Sequence, residues 1–218
     1  GSEAREKNRK RFGMAPQDFV ILSVGELSGN KNHEYMIRLF PVIQRSFPNV
    51  SFRYYISGDG FFREKLENVV KEVKLQEKVK LLGYRSDIRE VLMCADCFAF
   101  PSRREGLGMA ALEAMCMRIP VIASDNRGTR EYMKPGKNGF VWDLKKPEEL
   151  IQALRKVLSL EKREKEKLLE EAKRTVELFT LENSRKAMKA IYREVLEEME
   201  SECSNATVSI SCEQGSCH

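Results

Sequence analysis

The residues best suited to chemistry lie in one run, Phe100-Pro101-Ser102-Arg103-Arg104-Glu105-Gly106-Leu107-Gly108-Met109-Ala110-Ala111-Leu112-Glu113-Ala114-Met115. An apolar stretch ends at Pro101, a loop with two glycines follows, and a helix then opens with backbone N–H groups that lack partners within the helix. Such groups carry partial positive charge and suit a diphosphate. Glu105 precedes the helix, and Glu113 stands about two turns along it. Carboxylates beside a phosphate site can accept hydrogen bonds from sugar hydroxyls, so a ribose or hexose is their natural partner. Leu112 and Met115 flank Glu113 and are read as turning its carboxylate inward, whereas a generic helical glutamate faces solvent.

Two other loops add to this run. Gly25-Glu26-Leu27-Ser28-Gly29-Asn30-Lys31-Asn32 leads from an apolar run toward a helix and sets Lys31 where it can reach an anion at the helix start. Ser57-Gly58-Asp59-Gly60 carries glycines that permit a tight turn and close approach of the backbone to a ligand. Both loops would also serve as ordinary turns.

The elements that must position these loops follow from the apolar pattern. Phe19–Gly25, Phe52–Gly58, Val79–Gly83, Cys97–Pro101 and Pro120–Ser124 are short, apolar and β-branched or aromatic, as strands covered on both faces should be. Between them, Met36, Leu39, Phe40, Ile43 and Phe47 fall at helical spacing, as do Leu66, Val69, Val70 and Val73, then Ile88, Val91 and Leu92. Pro41 inside the first helix removes a hydrogen bond and should kink it. The alternation predicts an α/β fold, a single Rossmann-like domain with a parallel sheet and helices on both faces. Ligands of such sheets bind at the carboxyl ends of the strands, where all three loops lie.

Beyond Pro147 the pattern is helical only: Glu148–Leu158, a Lys/Glu-rich stretch over Lys162–Phe179, and Leu181–Met199 with Ala187, Ile191 and Val195 on one face. From Ser201 the composition turns to Ser, Cys and Thr, which predicts a weakly ordered or disulfide-tied tail. The expected layout is 1–12 as a linker remnant with a cloning remnant at Gly1-Ser2, 13–200 as the ligand-binding domain with its C-terminal helices, and 201–218 as the tail.

Composition narrows the function. Among 218 residues, 42% are hydrophobic and 33% charged, which is the profile of a folded globular chain. The 38 basic and 33 acidic residues give a net charge of +5 and are interleaved, so no nucleic-acid partner is expected. No apolar run approaches the roughly 18 residues of a membrane span. Cys94 and Cys97 have redox or metal-pair spacing, yet no second pair or histidine accompanies them, so they read as buried packing residues.

The segment PSRREGLGMAALEAM, followed by IPVIAS, Gly128-Thr129-Arg130-Glu131 and Gly136-Lys137-Asn138-Gly139, resembles the donor-binding domain of GT-B retaining glycosyltransferases. These include bacterial capsule, exopolysaccharide and lipopolysaccharide sugar transferases, and the resemblance runs from about Arg9 to about Leu196, centred on an E-x7-E motif. It implies that Glu105 contacts the donor sugar and Glu113 the ribose, and that Lys31 holds the diphosphate. Gly106, Leu107, Gly108 and Met109 would cradle phosphates and sugar, with Gly58 and Gly60 beside them. The Gly83-Tyr84-Arg85 loop would border the base, which places Tyr84 and Arg85 in the site. Where many members carry an arginine this chain has Glu26, so Arg103 or Arg104 would have to supply the second cation, or donor affinity is weaker.

The resemblance further implies transfer from a nucleoside diphosphate sugar, a UDP-sugar at family level, to a hydroxyl acceptor, with no metal and no cofactor. A GT-B enzyme has two such domains, so an N-terminal acceptor domain is the expected partner, and the single domain is expected to bind donor while turning over little. The expected location is cytoplasmic, with the full-length protein at the inner face of the membrane. A non-catalytic nucleotide-sugar-binding module is the alternative; an epimerase or phosphorylase fits less well.

Overall fold

The structure is a computed structural model that describes the backbone of residues 2–213 and the side chains of residues 2–199. In chain order its elements are α1 (Ser2–Arg11), β1 (Phe19–Val24), α2 (His33–Ser46), β2 (Phe52–Ser57), α3 (Arg63–Glu72), β3 (Val79–Gly83), α4 (Ile88–Leu92) and β4 (Cys97–Phe100). They continue as α5 (Met109–Cys116), β5 (Val121–Ser124), α6 (Arg127–Arg130), β6 (Phe140–Trp142), α7 (Pro147–Ser159), α8 (Lys162–Leu178) and α9 (Leu181–Glu213). Two compact units result, Gly1–Val176 and Glu177–His218.

The first unit holds one six-stranded sheet in the order β3-β2-β1-β4-β5-β6, and every neighbouring pair is parallel. Parallel strands need crossover helices, which cover both faces and force the strands to be apolar throughout. All four residues of β4 and of β5 are accordingly buried. The α2 helix shows the complementary pattern: His33, Met36, Ile37, Phe40 and Ile43 are buried at spacings of one helical face. It runs unbroken from His33 to Ser46 with Pro41 inside it. Cys94 and Cys97 are buried free thiols, and burial pushes the Cys94 thiol up to about 11.

Several elements depart from the sequence reading. No element was anticipated in residues 1–12, read as a linker remnant, and there α1 packs against α4 with Arg9 buried. The β6 strand was not anticipated because three residues are too few for periodicity to register. The last helix passes Met199 and continues to Glu213, so the backbone of 201–213 is helical where a weakly ordered tail was expected. The segment carries no proline, and its first glycine is Gly215, so nothing breaks the helix earlier. Residues 214–218 lie outside the described residues. Ile191 and Val195, which share one face of α9, are exposed.

Two buried polar clusters tie the sheet to its surroundings. The Arg9 guanidinium donates to the carbonyls of Cys94 (2.9 Å), Pro16 (3.0 Å) and Asp18 (3.0 Å) and to Asp96 Oδ2 (2.6 Å). Asp96 Oδ2 also accepts from Val20 N–H at 2.7 Å, so α1, β1 and the start of β4 share one ion-pair network. In the second cluster, Tyr54 Oη donates to Ser23 Oγ at 2.9 Å, Ser23 Oγ donates to the Ala99 carbonyl at 2.5 Å, and His33 Nδ1 lies 3.4 Å from Tyr54 Oη. Burial, then the nearby Lys31 charge, lowers His33 to about 4, against a smaller opposing pull from the Glu26 carbonyl.

Removing one partner from a buried charge network leaves the others unpaired. Arg9→Ala should therefore lower unfolding free energy by about 3–5 kcal/mol, read from urea titration of the single Trp142; a loss under about 1 kcal/mol would show that α1 is peripheral to the cooperative unit. His33 yields a pH effect of defined sign. An unfolded histidine titrates near 6.5 and His33 near 4 in the fold, so the unfolded state takes the proton first and stability falls as pH drops through that window. Between pH 7 and pH 5 the His33 contribution should decline by about 2 kcal/mol, visible as a steeper loss for the wild type than for His33→Gln.

Candidate functional site

Between β1 and β4 the strand order reverses direction, and the loops that leave their carboxyl ends diverge to leave a crevice. The β1–α2 loop carries Lys31, and the β4–α5 loop carries Glu105. Across the crevice Lys31 Nζ donates to Glu105 Oε1 at 2.7 Å, with side-chain exposures of 23% and 11%, so the pair is half-buried and the charges are only partly screened. Lys31 Nζ also lies 5.7 Å from the centre of the Phe100 ring, within cation–π range.

The two loops are stitched together by two asparagines. Arg103 N–H donates to the Asn30 carbonyl (2.8 Å), Arg104 N–H to Asn30 Oδ1 (3.2 Å), Asn30 Nδ2 to the Arg104 carbonyl (2.9 Å), and Asn32 Nδ2 to the Pro101 carbonyl (3.2 Å). The side chains of Arg103 and Arg104 themselves are exposed. At the start of α5, Gly108 adopts φ 86°, and a Cβ there would stand 2.8 Å from the Phe100 ring and 3.2 Å from Tyr132 Oη. Only glycine suits that conformation and that gap. Gly108 offers no capping side chain, and Ala111 N–H donates to the Gly108 carbonyl at 3.0 Å, which leaves the Met109 and Ala110 N–H groups to meet an anion. Burial, and then the Glu105 carboxylate, raise the Tyr132 phenol.

Beside the pair lies an open cleft of about 410 Å³, lined by Val24, Gly25, Glu26, Ser57, Gly58, Asp59, Tyr84, Arg85, Ile88 and Glu113. It joins the ends of β1, β2 and β3 to α5. Tyr84 presents its ring to solvent at 80% exposure, the posture of a side chain available for stacking on a flat ligand. Arg85 is held by Asp87 at 2.7 Å and lies 5.1 Å from the Phe12 ring, so its charge is already matched. Gly58 is demanded by packing, because a Cβ would fall 1.9 Å from the Gly25 carbonyl oxygen. Gly60 is likewise closed off by the Leu27 backbone at 2.7 Å. A cavity of about 1070 Å³ at Gly136, Lys137, Lys156, Arg163 and neighbouring α8 residues is larger, but it sits away from the strand ends and holds no residue of the three loops.

Glu105, Lys31 and the Gly106–Met109 turn thus stand together, with Glu26, Gly58, Tyr84, Arg85 and Glu113 around the adjoining cleft. One expectation needs correction: Glu113 does not point inward. In α5 the buried positions are Ala111, Leu112, Ala114 and Met115, and Glu113 is exposed on the remaining face, over the cleft. Sequence reasoning missed Asn30 and Asn32, whose role is cross-loop bonding that no local pattern records. It also missed Asp59 and Ile88 as cleft lining. Among the described residues no group of three or more His, Cys, Asp or Glu is arranged to hold a metal ion.

The chain is similar to several known proteins in sequence and in fold. The 34%-identical putative glycosyltransferase EpsD of Bacillus subtilis aligns over 137 residues, 63% of this chain and 35% of that protein. The UDP-Gal:alpha-D-GlcNAc-diphosphoundecaprenol alpha-1,3-galactosyltransferase of Escherichia coli is 32% identical over 149 residues, 68% of this chain and 38% of that one. In fold, the chain is similar to a glycosyltransferase from Rickettsia africae, with TM-score 0.78, 22% identity, and 90% of this chain on 52% of that one. Anabaena HepE is similar at TM-score 0.71 and 22% identity, with 92% of this chain on 53% of that one. The chain spans between 29% and 49% of the length of the curated relatives it matches. Its six-stranded parallel sheet with flanking helices is the Rossmann-like α/β fold of GT-B glycosyltransferase structures. Residues 4–175 match the model of the family described as glycosyl transferases group 1, and the chain belongs to that family.

Proposed function

We propose that this chain is the donor-binding part of a retaining glycosyltransferase that moves a sugar from a nucleoside diphosphate sugar, a UDP-sugar, to a hydroxyl acceptor in polysaccharide or glycolipid synthesis. The observation that carries the reading is the Lys31–Glu105 pair at the sheet's reversal point, beside an open cleft. Lys31 and the α5 N-terminus receive the diphosphate, Glu105 the sugar hydroxyls and Glu113 the ribose, with Tyr84 and Arg85 at the base. Similar structures lend support by what they hold: HepE is described in complex with UDP and glucose, and with UDP-glucose. Bond breaking leaves negative charge on the departing diphosphate, and fixed positive charge at that point stabilises the transition state without a metal. An N-terminal acceptor domain completes the enzyme, so residues 13–200 alone bind donor and turn over little. The whole protein works in the cytoplasm at the inner face of the membrane; among the described residues, no helix is long and apolar enough to cross it.

Glu26 shapes the strength of binding. It is exposed in the cleft, and its carboxylate adds like charge where a diphosphate must come. The exposed Arg103 and Arg104 side chains offer compensating cations from the opposite loop.

Isothermal titration of the folded chain with UDP, GDP, ADP and a panel of UDP-sugars tests the reading. Lys31→Ala should weaken the binding partner about 10- to 100-fold, the loss of one charge-assisted bond, and Glu113→Ala about 10-fold. Retention of wild-type affinity in both variants, or the absence of binding to every diphosphate, would overturn the assignment. Glu26→Arg should tighten UDP binding by about 10-fold at low salt, and the gain should shrink as ionic strength rises.

A further inference from the structure

The loop that carries Glu105 is held from a second side by residues with no assigned role. After β5 the chain turns into α6, and three buried side chains there, Ser124, Asn126 and Thr129 at 0%, 6% and 1% exposure, form a network that reaches the backbone carbonyl of Ser102, itself 1% exposed. Ser124 Oγ donates to the Ser102 carbonyl at 2.5 Å, and Asn126 Nδ2 donates to the same carbonyl at 3.2 Å. Asn126 is itself fixed by a reciprocal cap: its Oδ1 accepts from Thr129 N–H at 3.2 Å, and its own N–H donates to Thr129 Oγ1 at 3.1 Å. Thr129 Oγ1 in turn reaches the Ser124 carbonyl at 2.8 Å. Thus the β5–α6 turn grips the glutamate loop three residues ahead of Glu105.

The second contact is steric. At Gly128 a Cβ would lie 2.7 Å from the Glu105 carbonyl oxygen and 2.9 Å from both the Glu105 carbonyl carbon and its Cβ. Real Cβ atoms do not approach backbone so closely, so α6 and Glu105 touch at a point where nothing larger than glycine fits. The φ of Gly128 is not in the left-handed range, so backbone freedom does not explain a glycine at this position. In a helix alanine is preferred over glycine, and the helix by itself would be better served by alanine. What the glycine provides is the position of Glu105.

We infer that Asn126 and Gly128 are positioning residues for Glu105, and that through it they govern recognition of the donor's sugar more than of its nucleoside diphosphate. The inference rests on the donor-site reading in naming the sugar, while the geometry it invokes stands without it. Asn30 and Asn32 hold the glutamate loop from the β1 side, and Ser124, Asn126 and Gly128 hold it from the β5 side. Between the two clamps the carboxylate accepts from Lys31 Nζ at 2.7 Å. A hydrogen bond to a substrate hydroxyl tolerates displacement of only a fraction of an ångström, so moving the Glu105 backbone by the several tenths that a Cβ requires would spoil it.

The test uses Gly128→Ala and Asn126→Ala in the 218-residue chain, with Glu105→Gln as reference. The first readout needs no ligand: the solvent-exchange rate of the Lys31 ammonium protons by ¹⁵N-resolved NMR, assigned with Lys31→Arg. Both variants should bring that rate to within about twofold of the Glu105→Gln value; wild-type exchange in either folded variant overturns its positioning role. Gly128→Ala should melt no lower than wild type by more than a few degrees, so loss of fold does not mimic the effect. The second readout is the ratio of UDP to UDP-glucose or UDP-N-acetylglucosamine dissociation constants. It should collapse toward one in the variants while UDP affinity changes less than about threefold. Parallel loss of UDP and UDP-sugar affinity overturns the assignment to the sugar. If the wild type binds none of these probes, the donor reading and the sugar assignment fall together, and the ammonium exchange still decides whether the two residues position Glu105.

Discussion

The handedness of the crossovers is the constraint from which the candidate site descends. In a parallel sheet each strand-to-strand connection is right-handed, and the chain keeps that hand whether it moves left or right across the sheet. Here it moves from β1 outward to β3, then returns past β1 to begin again at β4. Keeping the hand while reversing the direction sends the two sets of helices to opposite faces, and the loops leaving β1 and β4 must part. Lys31 and Glu105 are 74 residues apart in sequence and 2.7 Å apart in space because they stand on the two lips of that parting. Neither loop could create the pair without the sheet order.

Once the lips exist, they must be held, since loops over a crevice are ordinarily the least stable part of such a fold. Asparagine side chains perform this task by imitating strand pairing: Asn30 gives and takes hydrogen bonds with the backbone of residue 104 through its own amide. Below them, the bare backbone of Gly58 lies against the Gly25 carbonyl with no room for a methyl group. The floor of the cleft is therefore peptide, and its walls are side chains. The Gly25 and Gly58 N–H groups of that floor donate to the Ser57 and Gly83 carbonyls, and Tyr84, Glu26 and Glu113 supply variable chemistry at the edge.

Much of this was legible in the residues and some was not, for a physical reason in each case. Five strands and their parallel order follow from short, continuous apolar runs, since burial on both faces leaves no alternation to confuse the reading. The three loops proposed for the site follow from the rule that sheet ligands gather at strand ends. Glu113 was placed wrongly in orientation because its neighbours Leu112 and Met115 are buried, and adjacent helical residues point about 100° apart. The role of α1 was invisible for a related reason: its sequence, SEAREKNRKR, is polar apart from Ala4, and it is anchored by a buried arginine that pairs with Asp96 far along the chain. Hydrophobic periodicity detects apolar anchoring only. Asn126 caps, and Gly128 lies in, a four-residue helix whose significance is its contact with the Glu105 loop, and such a contact is a property of the folded loops.

The state of the Lys31–Glu105 pair bears on how a donor would be received. An ammonium and a carboxylate half-shielded from water have already lost part of their hydration, and that loss is met by their mutual attraction. On the proposed reading, an arriving diphosphate does not strip water from an isolated lysine; it offers a stronger anion to an ammonium that has exchanged water for a carboxylate. Glu105, released from that bond, is then an acceptor with free lone pairs directed at the same crevice, where the sugar hydroxyls would lie. One ligand thereby satisfies both members, each with the part of the donor it suits. A nucleoside diphosphate without sugar would satisfy only Lys31 and leave Glu105 facing a second anion. On that reading the pair favours the complete donor over the product diphosphate, which is the order of affinities that a transferase needs in order to release what it has used.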